Sequence, residues 1–158
     1  MMDDNSAVEE LIYHEARLLD DKAFDEWLEL LTDDVLYWAP LKRGQTEDEI
    51  HNSLFFEDLL VLRIRIERLR APRVFSQEPP SYCQHVLQKP QVEKDPQGHI
   101  CTSTPFVYVE AQLDEQIFLA GSLHHQIVHA TTGGLKIRRK RIELLNRDAA
   151  LPSIQLLI

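Results

Sequence analysis

The sequence predicts an α+β fold in which N-terminal helices pack on one face of a strongly curved, mainly antiparallel sheet. Two observations predict it. Apolar residues repeat at helical spacing over residues 5–31. After residue 81, long segments typical of strands alternate with turns that contain Gly, Pro or Asp. A chain of 158 residues has the usual length of one domain, so a single unit over residues 1–158 is expected.

Helical spacing and capping residues define the first helices. Ser6 and Glu9 match a capping box, which predicts Ser6 as the N-cap of the first helix. Two apolar stripes follow, formed by Val8, Leu11, Ile12, Leu18 and Leu19 and then by Phe24, Trp27, Leu28 and Leu31. Residues 35–40 are rich in β-branched and aromatic side chains, so they are predicted to form a strand that Pro40 ends.

The middle of the chain is less regular. Residues 41–54 are polar and are predicted to form a loop. Residues 57–70 favour a helix, since four apolar residues from Leu59 to Leu69 are spaced on one helical face, although residues 62–67 also alternate like a strand. Residues 71–81 contain three prolines and are predicted to form a second loop.

Residues 82–146 are predicted to form an antiparallel meander. Its strands are expected at 82–94, 99–112, 116–130 and 135–145, with turns at 95–98, 113–115 and 131–134. A tail with an apolar end follows. The basic last strand and the apolar tail residues Ile154, Leu156, Leu157 and Ile158 are predicted to need a neighbouring copy as partner.

Composition excludes several classes of function. The chain has 17 Lys and Arg against 26 Asp and Glu, which argues against nucleic acid or an anionic membrane as the main partner. The acidic start lacks the features of a signal peptide, and no window has the apolar length of a membrane span. Two cysteines make no disulfide framework, so a reducing, cytoplasmic setting is expected.

Cys83, His85 and Cys101 have the spacing of most of a Rieske motif, C-x-H followed by C-x-x-H. A Rieske [2Fe–2S] centre needs two cysteines on one iron and two histidines on the other. Thr104 stands at the second histidine position, and a hydroxyl does not replace imidazole there. We therefore interpret these residues as structural, and we expect no metal or cofactor in this chain.

His124, His125 and His129 are a second metal candidate. His125 and His129 would share a face of a helix, but the segment is predicted to be a strand and no carboxylate completes a ligand set. Hydrogen-bonded or surface histidines are the favoured interpretation.

An acid/base site is the third candidate, because curved-sheet folds often enclose a cavity. Asp33, Asp34, Tyr37, Tyr82 and His85 are the residues that would have to converge in it. Nothing in the sequence brings them together, so no catalytic residue is assigned. The basic run Lys136–Arg141 alternates between faces of a strand and is predicted to be an edge or interface strand paired with acids.

Several segments resemble, in the same order, the small (beta) subunits of aromatic-ring-hydroxylating dioxygenases. They are Glu15–Asp21, Phe24–Trp27, Leu31–Trp38, Glu78–Ser81 with His85, and Ile142–Asn146. The resemblance implies a cone of the scytalone dehydratase type, with three helices against a curved mixed sheet. It also implies a subunit without cofactor whose large (alpha) partner holds a Rieske [2Fe–2S] cluster and a mononuclear iron and receives electrons from NADH.

The resemblance further implies a homotrimer of this chain within an alpha3-beta3 hexamer that adds dioxygen to an arene as a cis-dihydrodiol. The chain would then be a non-catalytic subunit of an oxidoreductase. A stand-alone cone-fold dehydratase or isomerase with a cavity acid/base site remains the alternative. A binding protein without catalysis is a third possibility.

Overall fold

The computed structural model describes residues 3–41, 53–71, 79–146 and 153–158. The helices are α1 (Asp4–Asp20), α2 (Phe24–Glu29) and α3 (Leu59–Arg70). The strands are β1 (Leu31–Pro40), β2 (Ser53–Glu57), β3 (Tyr82–Leu87), β4 (Gln91–Lys94), β5 (Ile100–Gln112), β6 (Glu115–His129) and β7 (Leu135–Leu144). No helix among these residues is long and apolar enough to span a membrane.

The strands form one mixed sheet in the order β2-β1-β7-β6-β5-β3, and β4 also pairs with β5. The β1–β7 pair is parallel, and every other pair is antiparallel. Alternate residues of β5, from Thr102 to Tyr108, are buried, because they point to the inner face that the helices cover. The α+β fold predicted from the sequence is confirmed.

The helices are confirmed, but the predicted N-cap of α1 is wrong. The helix begins at Asp4 with Asp3 as its N-cap, and Ser6 lies exposed inside the first turn. For α3 the helical interpretation of residues 57–70 is right and the strand alternative is wrong. The Asp58 carboxylate accepts a hydrogen bond from the Val61 N–H at 2.9 Å and so caps the helix.

Two predictions about the strands need correction. The strand predicted over 82–94 is two strands, β3 and β4, because Pro90 has no N–H to donate to the ladder; both pair with β5. Residues 53–57 form β2 antiparallel to β1, where the sequence predicted the end of a loop and the start of a helix. The remainder of the loop predicted at 41–54 lies mostly outside the described residues.

The surroundings of the last strand and the tail also differ from the prediction. Strand β7 is not an edge, since it lies between β1 and β6. The tail does not need a neighbour, since Leu156, Leu157 and Ile158 are only 2%, 1% and 0% exposed within their own chain. The Ile158 N–H donates to the Tyr37 hydroxyl at 3.0 Å, and that hydroxyl donates to the Ile158 carbonyl at 2.9 Å.

Candidate functional site

Helix α1 presents two carboxylates to the sheet, and each contacts a buried histidine. Glu15 contacts His125 of β6, and Asp20 contacts His85 of β3. Both histidines lie at inward-facing strand positions, since their neighbours on either side are more exposed. The two pairs therefore attach one helix to two separate strands.

The Glu15 carboxylate is the centre of a buried polar cluster. One of its oxygens accepts from the Lys140 ammonium at 3.0 Å and from the Trp27 indole at 3.1 Å, and the other lies 2.7 Å from His125 Nε2. His125 stands opposite Lys140, and Lys140 stands opposite Tyr37, so three adjacent strands bring these side chains into one row.

Charge balance keeps Glu15 ionised inside the protein. Burial by itself would raise the pKa of this carboxyl, but Lys140 and His125 beside it more than offset that effect. The pKa of Glu15 therefore lies well below its ordinary value of 4.5. The cluster is a buried, hydrogen-bonded ion pair, which is an arrangement that fixes the position of α1.

The Asp20 carboxylate holds His85 through both backbone and ring. It accepts from the His85 backbone N–H at 3.0 and 3.1 Å and lies 2.6 Å from ring Nδ1. The Cys83 thiol lies 3.8 Å from the same carboxylate and 3.8 Å from the Leu19 carbonyl oxygen. His85 Nε2 is buried without a hydrogen-bond partner among the described residues.

Asp20, Cys83 and His85 could in principle hold a metal ion, since their ligand atoms lie within 4.8 Å of one another. The chemistry of the group argues for a different role. Burial, together with the Asp20 charge, raises the pKa of the Cys83 thiol to about 12, so the thiol is protonated at neutral pH and a metal would have to displace its proton. The carboxylate is already occupied by the N–H groups of His85. These contacts favour a hydrogen-bonded clamp between α1 and β3.

A third polar group holds the tail inside the fold. The Glu110 carboxylate accepts from the Gln155 N–H at 3.1 and 3.2 Å, from the Leu156 N–H at 2.8 Å and from the Tyr108 hydroxyl at 2.8 Å. Burial raises the pKa of Tyr108 and of Tyr37, so both hydroxyls remain protonated. Leu157 and Ile158 belong to the same apolar core as these two tyrosines.

The structure separates the cysteines of the Rieske-like spacing. Cys83 stands opposite Glu110 on β5, and Cys101 lies nine residues before Glu110 on that strand. Nine residues of a strand span about 30 Å. The two cysteines therefore cannot bind one cluster, which agrees with the structural interpretation of the motif.

The three histidines of β6 are also apart. His125 faces the core, whereas its neighbour His124 points to the outer face, 3.2 Å from Glu143. His129 lies exposed at the end of the strand, roughly 13 Å along it from His125. The sequence drew attention to His125, but its carboxylate partner lies 110 residues away and gave no local signal.

The residues of the predicted acid/base set do not converge. Asp33 and Asp34 are exposed near the start of β1, and Asp34 binds Arg138 at 3.0 Å. Tyr82 is exposed on the outer face, whereas Tyr37 and His85 are buried with partners on different elements. The basic residues of β7 do pair with acids, as predicted, through Asp34, Glu15 and Glu143.

A cleft of about 840 Å³ lies on the outer face of the sheet, between β4 and β1. Its lining includes Trp38, Glu93, His124 and Arg141. Burial and the nearby Arg141 lower the pKa of His124, so its ring is neutral at pH 7. The cleft is open and carries charges of both signs, as a contact surface does.

Comparison with known proteins identifies the family. The model of the ring hydroxylating beta subunit family matches residues 14–149. The small oxygenase component of the p-cumate 2,3-dioxygenase system of Pseudomonas putida is 32% identical over 152 residues, which are 93% of this chain and 82% of that protein.

Solved structures agree in fold. The beta subunit of benzoate 1,2-dioxygenase from Burkholderia mallei superposes with a TM-score of 0.75 at 23% identity, over 99% of both chains. An NTF2-like protein with a cystatin-like fold from Novosphingobium aromaticivorans has a TM-score of 0.63 at 14% identity, over 90% of this chain and 82% of that one. The chain belongs to the ring hydroxylating beta subunit family.

Proposed function

We propose that this chain is the structural small subunit, without cofactor or catalytic residue of its own, of a Rieske non-heme iron aromatic-ring-hydroxylating dioxygenase. In this role it scaffolds large subunits that carry a [2Fe–2S] cluster and a mononuclear iron and that cis-dihydroxylate an arene with electrons from NADH. The proposed assembly is a trimer of this chain within an alpha3-beta3 hexamer in the cytoplasm.

One observation supports this role above the others: the tail of the chain occupies the interior of the cone. Leu157 and Ile158 pack into the core, Glu110 holds the backbone of Leu156 just before them, and Tyr37 holds the backbone of Ile158. An enzyme that uses a cone cavity needs that space for its substrate. Here the space beside Tyr37 and Tyr108 is filled by protein.

The alternative, a cone-fold dehydratase or isomerase, draws on the Asp20–His85 pair, which has the geometry of a base held by a carboxylate. The His85 side chain is 1% exposed, however, and its ring packs edge-on against Tyr108 with the centroids 5.0 Å apart. A substrate would have to displace the core to reach it. The pair is better suited to joining α1 and β3.

The test is co-expression of this chain with the large dioxygenase subunit of the same organism, followed by light scattering and metal analysis. We expect the two chains to elute together at the mass of a hexamer, with iron and Rieske absorption only when the large subunit is present. Rieske absorption from the small chain alone, or separate elution of the two chains, would contradict the proposal.

A further inference from the structure

Two exposed apolar surfaces lie at opposite ends of the sheet. The first, called the tip surface here, combines the β5–β6 turn Leu113–Glu115 with Val86, Val107 and Phe118 of the outer face. Val86 stands directly opposite Val107, and Phe118 stands opposite Val109, one position along the same face. Val86, Val107 and Phe118 therefore form one patch at the β3 end, and the Leu113 turn lies about 13 Å further along the same hairpin.

The conformation of Leu113 is unusual. It is 79% exposed, and its φ of +56° lies in the left-handed region that glycine and asparagine adopt most easily. Folding gains nothing from an exposed leucine in this conformation. A strained, exposed apolar residue at a turn is a reason to look for a contact outside the chain.

The second surface, called the helix surface here, is the outer side of α3. Leu60, Val61 and Ile64 are exposed there, Leu60 to 66%, while Leu62 and Ile66 face the core. Arg63 and Arg68 flank the apolar residues. Helix α3 packs on β1 and β2, so this surface lies at the β2 end of the sheet.

The two surfaces are complementary in charge. Asp114 and Glu115 are exposed beside the apolar tip, and Arg63 and Arg68 are exposed beside the apolar helix face. Within the described residues, none of these four forms an ion pair. Apolar contact with matching charges at the rim is the usual composition of a protein interface.

We infer that the tip surface of one copy binds the helix surface of a second copy. Because the two surfaces differ, the contact is heterologous, and a threefold rotation closes it into a ring. The inference rests on the trimer of the proposed function and names the residues that would form it. Leu113 would enter the partner copy beside Leu60 and Ile64, and the acidic turn would face Arg63 and Arg68.

Charge reversal tests the contact by sedimentation. The double variants Arg63→Glu with Arg68→Glu, and Asp114→Arg with Glu115→Arg, are each expected to weaken trimer formation at least about tenfold, because like charges then meet. All four changes together are expected to restore the trimer. The control is Lys94→Glu, a charge reversal at an exposed lysine of β4 that lies away from both surfaces; it is expected to remain a trimer.

Leu113→Gly separates assembly from folding. It relieves the left-handed strain, so we expect the dissociated chain, unfolded by urea at low protein concentration, to be at least as stable as the wild type while the trimer weakens. A trimer unaffected by Leu113→Gly and by both charge reversals would overturn the inference. Reversals without rescue in the fourfold variant would do so as well.

The same samples distinguish this inference from the proposed function. A wild-type chain that is monomeric by itself contradicts the proposed trimer as well as the inference. A trimer that tolerates the reversals but loses the large subunit overturns the inference and leaves the proposed function intact, because the surfaces would then belong to the large subunit.

Discussion

Glu15 is the residue on which the buried charge balance depends, because Lys140, His125 and Trp27 all contact its carboxylate. Glu15→Ala leaves the Lys140 ammonium buried without its counter-charge. We expect the free energy of unfolding to fall by about 3–5 kcal/mol, as for other buried pairs that lose one partner. Urea unfolding measures it, and Glu10→Ala, at an exposed ion pair of the same helix, is the matched control that should change little.

The lowered pKa of Glu15 makes the stability of the protein depend on pH. The pKa of Glu15 is lower in the folded protein than its ordinary value of 4.5, so its contribution to stability is complete above that pH. The contribution is lost as the pH falls toward the folded pKa, because the carboxyl must then be protonated. Stability of the wild type should fall more steeply below pH 4.5 than that of Glu15→Gln; parallel curves would contradict this.

A substitution at His85 distinguishes a structural role of the Asp20–His85 pair from a catalytic one. His85→Ala removes the ring contact to Asp20 and the packing against Tyr108, and we expect it to cost about 1–3 kcal/mol of stability. Turnover per assembled large subunit should be unchanged when measured by oxygen uptake below the unfolding midpoint. A loss of turnover in a stable, assembled complex would instead favour acid/base chemistry at this pair.

The sequence identified the histidines of the polar clusters more easily than the carboxylates that contact them. The pattern singled out His85, His124 and His125, and the alternation of a strand was enough to set His124 and His125 on opposite faces. Glu15 and Asp20 stand out in the sequence only as part of a segment that resembles the family. Their roles depend on where α1 crosses the sheet, which local spacing does not determine.

At the scale of elements, the tail is the part that the sequence misplaced. Leu157 is 1% exposed inside its own chain, so Leu157→Ala should leave a cavity and cost about 2–5 kcal/mol. Leu145→Ala, the same substitution at a site that is 65% exposed, is the control. Chemical unfolding measures the stability of both variants, and sedimentation measures their self-association. If Leu157→Ala lost self-association without losing stability, the tail would belong to an interface between copies and not to the core.

The elements that the sequence predicted well have strong local signals. Helix α1 has a long apolar stripe, and the β5–β6–β7 meander has turns whose composition marks them. Strand β2 has only five residues, which are too few to show a clear alternation of apolar and polar side chains. It forms a strand because it pairs with β1. The break between β3 and β4 was visible as Pro90, but the long run of strand-forming residues outweighed it.

For the molecule as a whole, the order of the segments predicted that helices cover one face of a sheet. It did not predict that β1 pairs with β7 in that sheet. Helices followed by a meander indicate helices on one face of an antiparallel sheet. The parallel pairing of β1 with β7 joins the two regions of the chain, and no local pattern records it. That pairing places the α3 surface and the β5–β6 turn at opposite ends of one continuous sheet.

The contact between Tyr37 and Ile158 joins residues that are 121 positions apart, and this separation bears on how fast the protein folds. Local hairpins can form early, but the core around Tyr37 stays open until β7 and the tail arrive, and long-range closure of this kind is slow. During synthesis, the apolar stripe of α1 therefore emerges long before the strands that cover it. Exposed apolar surface favours aggregation during that interval, so rapid completion of the sheet protects the newly made chain.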